Sequence, residues 1–154
     1  MWAAACVSCG VGYMGGAPAP VDPCMDGEFV YRPDVCVSEE PDRPCEIWFL
    51  MTQDGGAVGV TAAMGPEPLA PWESLHFTGG IGAIGEARGT LTAYFADGSV
   101  SIANVAVRLS DVAGCPDRLE LGPFGYADPD GVPRTESYTA NRTAPCTRRR
   151  PGCD

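Results

Sequence analysis

"CEIWFLMTQDGGAVGVTAA", residues 45–63, decides the fold class. Two apolar runs flank Asp54-Gly55, a pair that favours the tight turn of a β-hairpin because glycine accepts positive φ at no steric cost. With those two residues as the turn, Met51 faces Val58, Phe49 faces Val60 and Ile47 faces Ala62. All six side chains then share one face, since cross-strand partners point the same way. Trp48, Leu50, Thr52, Ala57, Gly59 and Thr61 take the other face. One apolar face and one mixed face is the pattern of an antiparallel sheet packed on a core.

A second hairpin is expected in "ARGTLTAYFADGSVSIANVAVRL", residues 87–109. With Asp97-Gly98 as its turn, Phe95 meets Val100, Ala93 meets Ile102 and Leu91 meets Asn104. The apolar alternation then changes phase, because Val105, Val107 and Leu109 are odd-numbered. Period two cannot absorb that change, so either a β-bulge near Ala103-Asn104 or a second sheet taking up the strand's far half is expected, the bulge being preferred. Shorter strands are expected at Glu28–Tyr31 and Arg118–Leu121, with a final edge strand at Ser137–Asn141. "PWESLHF", residues 71–77, reads as one helical turn or an extended piece. Residues 122–137 read as surface turns around Asp128-Pro129-Asp130-Gly131.

No helical pattern of ten capped residues occurs, and 20 glycines and 15 prolines interrupt nearly every segment. The fold class that follows is all-β: a small, disulfide-stabilised antiparallel sandwich or barrel. At 154 residues it is one domain, able to bury roughly 68–70% of its unfolded surface. Residues 1–27, rich in cysteine, proline and glycine, read as an extended arm. Residues 28–154 read as the β-domain, with a cysteine-anchored tail. No run approaches the roughly 18 apolar residues of a membrane-spanning helix.

The eight cysteines are Cys6, Cys9, Cys24, Cys36, Cys45, Cys115, Cys146 and Cys153. Their even number, wide spacing and loop-like surroundings favour disulfides in an oxidising compartment, and the pairing stays open. Cys6 and Cys9 have the bite of half a zinc site, yet no second close pair completes four ligands. No metal or cofactor is expected. "MWAAAC" lacks the basic start and hydrophobic run of a secretory signal. An extracellular or otherwise oxidising location, or the surface of a virion, is nevertheless the setting that the cysteines suit.

Net charge is −10, and all ten basic residues are arginine. The absence of lysine removes Schiff-base chemistry. Residues 1–77 carry eleven acids and two arginines, which argues against nucleic-acid binding. His76 is the single histidine, and its nearness to Glu73 and Ser74 does not make a triad, whose members come from separate elements. Glu39, Glu40, Asp42, Glu67, Glu73 and Glu86 offer carboxylates, but no spacing selects an acid–base pair. Asp128 and Asp130 with Gly131 suggest at most a weak divalent-cation site, since the calcium-loop register fails. Asn141-Arg142-Thr143 fits the acceptor pattern for N-glycosylation, which applies only in a eukaryotic secretory setting. Trp2, Tyr13 and Met14 in the arm, and Arg148, Arg149 and Arg150 in the tail, are candidate contacts for another subunit.

The glycines Gly79, Gly80, Gly82 and Gly89, with Ala87, lie in "FTGGIGAIGEARGTLTAYF", residues 77–95. This segment resembles the glycine-rich turn and following strand of the dirigent and allene oxide cyclase barrels. The resemblance covers about nineteen residues and implies an eight-stranded barrel that holds an apolar small molecule or a reactive phenolic or polyene intermediate. Read from the residues alone, the same glycines permit tight turns or a bulge before a strand. The Gly80-x-Gly82-x-x-Gly85 spacing lacks the strand–helix context of a nucleotide site.

Two functional readings follow. One is a non-enzymatic structural or interaction protein, self-assembling or coating a larger assembly, with a homo-oligomer or other protein subunits as partners. The alternative is an apolar-molecule-binding barrel of the cyclase type. An enclosed cavity lined by Phe49, Val60, Leu91 and Phe95 would separate them.

Overall fold

A computed structural model describes residues 25–37, 44–83, 85–112 and 115–144. Eight antiparallel strands follow one another around a closed barrel: β1 (Gly27–Tyr31), β2 (Ile47–Asp54), β3 (Ala57–Met64), β4 (Ser74–Ala83), β5 (Glu86–Tyr94), β6 (Val100–Val112), β7 (Cys115–Ala127) and β8 (Pro133–Arg142). No helix occurs among the described residues. The choice between sandwich and barrel thus falls to the barrel, and the expected edge strand at 137–141 has no free edge, because β8 pairs with both β7 and β1.

The first hairpin keeps its expected face but not its expected register. The turn is Gly55-Gly56, with Asp54 opposite Ala57 and Met51 opposite Val60. A slip of two residues preserves the side-chain face. Ile47, Phe49, Met51, Val58, Val60 and Ala62 are accordingly all buried.

The second hairpin slips by one residue, with the opposite result. Phe95 N–H donates to the Ser99 carbonyl and Gly98 N–H to the Phe95 carbonyl. Gly98 takes φ +86°, and Asp97 accepts from the Ser99 amide at 2.9 Å. The loop therefore has three residues, Ala96 to Gly98, the glycine supplying the left-handed position that such loops need. Tyr94 pairs with Val100 and Thr92 with Ile102, so Val100 and Ile102 point outward. Ala103, Val105, Val107 and Leu109 then face inward in unbroken alternation, and no bulge occurs at Ala103-Asn104. The phase change lies one strand later. Leu119 and Leu121 face inward, then Phe124 and Tyr126 do, because β7 carries an extra residue against β8 at the cis Gly122–Pro123 step. Residues 122–137, expected as surface turns, are mostly strand, and only Asp128 to Val132 turn.

The barrel interior is filled from both ends. Phe29, Phe49, Phe77, Met51 and Leu91 are at most 2% exposed, as expected where eight strands leave just enough room for side chains. Trp72, on the β3–β4 connection, closes the rim that also carries the β5–β6 and β7–β8 turns. Met25, ahead of β1, is fully buried near the opposite rim. Cys36 and Cys45 form a disulfide, Cα atoms 5.6 Å apart, which staples the β1–β2 connection. Such a bond suits an oxidising environment.

Candidate interaction surface and internal polar cluster

Two features outside the apolar core could carry function. The first is a carboxylate among aromatic rings. Glu136 lies on the inward face of β8, two residues before Tyr138. It accepts hydrogen bonds from Trp72 Nε1 (3.0 Å), Tyr126 Oη and Tyr138 Oη. β7 supplies Tyr126 only because its bulge has turned Phe124 and Tyr126 inward. Tyr138 is ringed by Tyr31, Phe49 and Trp72, with centroids 5.2, 5.8 and 6.1 Å away. Burial, followed by the hydrogen bond to Glu136, pushes both tyrosine hydroxyls above their ordinary range. They are therefore held as donors to the carboxylate. This arrangement ties the Trp72 loop and two strands together across the rim.

Replacing Glu136 by leucine is expected to lower stability by about 2 kcal/mol, because three donors lose their acceptor in a largely dry site. Glutamine, which retains one acceptor oxygen, should recover about half of that. Urea unfolding followed by far-ultraviolet circular dichroism checks both.

The second feature is the outer wall. A continuous row of partners crosses five strands: Leu50, Thr61, His76, Thr92 and Ile102. The flanking rows run from Trp48 to Val100 and from Thr52 to Asn104. None of these three rows contains Asp, Glu, Lys or Arg. Ile102 is 65% exposed, Val100 51%, Leu50 50% and Tyr94 41%. Toward the far rim the wall meets a groove of about 580 Å³, lined by Arg88, Asn104, Ala106, Arg108, Gly122 and Pro123. The β6–β7 ladder runs from Val112↔Cys115 to Val107↔Leu121, so the groove opens where that ladder stops at the Gly122–Pro123 bulge. Arg88 and Arg108 share the Glu86 carboxylate at 3.2 and 2.7 Å, and the Arg108 bond holds Glu86 below the usual carboxylate range.

Of the residues singled out in the sequence, Cys36 and Cys45 are bonded, and Cys115 opens β7. Cys6, Cys9, Cys24, Cys146, Cys153, Trp2, Tyr13, Met14, Arg148, Arg149 and Arg150 lie outside the described residues, as do Glu39, Glu40 and Asp42. His76 faces outward, its ring edge-on to Tyr94 at 5.0 Å. Asp128 accepts from the Asp130 and Val132 amides at 3.0 and 2.9 Å, and from Arg134 at 2.8 Å. A guanidinium thus neutralises the turn where a weak cation site was expected. Among the described residues no group of three His, Cys, Asp or Glu side chains could hold a metal.

Sequence reasoning missed both features. Glu136 and Tyr138 share parity, a signal that was available. The β2–β3 half of the wall was legible, but its β6 edge was hidden by the one-residue slip, which had turned Val100 and Ile102 into the core.

No family model, curated protein or solved structure matches this chain.

Proposed function

We propose that this chain is a non-enzymatic structural or interaction protein, a disulfide-stapled barrel that assembles with itself or coats a larger assembly in an extracellular or other oxidising setting. The observation that carries the reading is a contrast between inside and outside. Phe49, Val60, Leu91 and Phe95, the side chains that would line a ligand cavity, are all at most 4% exposed and belong to one packed core. The outer wall meanwhile presents exposed Val100 and Ile102 to solvent, and contiguous exposed apolar surface marks interaction sites.

The alternative, an apolar-molecule-binding barrel like the dirigent and allene oxide cyclase proteins, draws on the strand number and the glycine segment. Titration with a fluorescent polyene fatty acid separates the two. The expected result is no saturable binding. Saturable one-to-one binding that quenches Trp72 and survives Ile102→Glu would place the ligand inside and overturn the structural reading.

A further inference from the structure

We infer that the uncharged outer wall of β2–β6 is the face on which a second copy of this chain docks. This inference rests on the reading of the chain as an assembling protein, and it names the surface and the partner.

Fifteen outward positions in three adjacent rows hold no charged residue. A solvated protein surface is about 25–35% charged, so about four charges belong there by chance. Their absence is pointed in a chain of net charge −10. Threonine, alanine and glycine fill nearly half of the wall, with Trp48, Leu50, Tyr94, Val100 and Ile102 as its larger apolar members. Interface centres are depleted in charge and enriched in aromatic groups in the same way.

Three arguments make a second copy the occupant. The first is electrostatic. Two chains of net charge −10 repel wherever acidic surfaces meet, and across this wall neither side presents an acid. The second is size. Five strands about 4.8 Å apart and three rows about 6.8 Å apart cover roughly 480 Å². Laid flat, two such faces would amount to about 1,000 Å²; the curvature of a closed eight-stranded barrel reduces what one partner covers, so the pair is a weak one, at the small end of specific interfaces. The third is the border. At one end of the wall Arg88 and Arg108 share the Glu86 carboxylate, with Asp54 in the same bordering row as Arg88; at the other stands Asp97, in the β5–β6 loop. A two-fold axis lying across the strands sets the Asp97 end of one copy against the arginine end of the other. Self-complementarity of this kind is what an isologous dimer requires.

The test is sedimentation equilibrium on the full chain, from about 1 μM to about 1 mM, a range that captures weak dimers. Four chains are compared: the parent, Ile102→Glu and Thr61→Glu in the wall, and Val132→Glu in the β7–β8 turn. Val132 is 48% exposed and away from the wall. The expected result is a parental dimer whose Kd rises at least about tenfold in each wall variant and stays unchanged in Val132→Glu, because each substitution appears twice in a two-fold interface. A parent that self-associates equally well in both wall variants overturns the wall while leaving the assembly reading intact. A parent that is monomeric throughout overturns the second copy as occupant, and the polyene titration then decides the broader reading on its own. Circular dichroism establishes that each variant is folded. Should a wall variant unfold, concentration-dependent amide exchange in the parent replaces it. Protection of residues 90–94 and 100–106 at high concentration supports the docking face, and unchanged exchange there overturns it.

Discussion

Gly89→Ala is expected to lower the free energy of unfolding by about 4 kcal/mol or to prevent folding, beyond the usual range for a single overpacked methyl group. A Cβ at Gly89 would stand 2.1 Å from the Thr78 carbonyl oxygen and 2.5 Å from the Gly79 Cα. Gly79 is its cross-strand partner, and a Cβ there would lie 2.3 Å from the Arg88 carbonyl oxygen. These obstacles are backbone atoms, so no change of rotamer relieves them. β4 and β5 approach at this point more closely than side chains permit, as strands do where a small barrel turns a corner. The Phe77 ring lies over Gly79 and covers the gap. Gly82 is the control: a Cβ there meets nothing within 4 Å, and Gly82→Ala should change stability by less than about 0.5 kcal/mol. Urea denaturation monitored by far-ultraviolet circular dichroism reads both. A Gly89→Ala protein within about 1 kcal/mol of the parent would mean that the strands do not pinch here.

Arg142→Met is the second large effect, expected to cost about 3 kcal/mol. The Arg142 side chain is 2% exposed, although it ends β8 at the rim. Its guanidinium donates to the Asp26 carbonyl at 2.6 Å and the Pro116 carbonyl at 3.0 Å. It lies 3.4 Å from the Asp117 carboxylate and 4.5 Å from the centre of the Phe29 ring. One planar group therefore joins the approach to β1, the start of β7 and the end of β8. Methionine retains the apolar stem but leaves two carbonyls and a carboxylate without that donor. Asp117 is 30% exposed and can recover water, which keeps the expected loss at the lower end for a broken buried pair. Lysine should recover less than half, because a single ammonium cannot reproduce the planar fork. Thermal unfolding of the three proteins at neutral pH measures the series.

The sequence carried the fold class through alternation alone, and the reason its finer readings diverged is a matter of parity. At Asp54-Gly55-Gly56 the turn moved the pairing by two residues, which leaves every side chain on its own face. At Ala96-Asp97-Gly98 it moved the pairing by one, which exchanges the faces. The outward position of Val100 and Ile102, the most exposed large apolar members of the outer wall, was concealed in that single residue. The bulge expected in β6 near Ala103-Asn104 does not exist; a different one interrupts β7 at Gly122–Pro123, where a glycine and a proline in sequence suggest a surface turn and give no hint of a kinked strand. The polar cluster depends on that bulge. Tyr126 reaches Glu136 only after the extra residue has reversed the parity of β7, so no local pattern around either residue announces their meeting. Conversely, the disulfide between Cys36 and Cys45 joins two of the eight cysteines whose number and spacing favoured cross-links.

Every strand pairs with its neighbours in sequence except at one place, where β1 and β8 join through Phe29↔Arg142 and Val30↔Asn141. A bond from Thr143 N–H to the Glu28 carbonyl extends the join by one rung. β5 and β6, by contrast, are laddered from Glu86↔Arg108 to Tyr94↔Val100. Hairpins can zip up locally, while this last join must bring the two extremes of the barrel together, so it is the latch rather than the hinge of the cylinder. In a ring of eight strands the latch lies diametrically opposite β4 and β5. A second copy docked on the proposed wall would therefore sit on the far side from the latch and leave it uncovered.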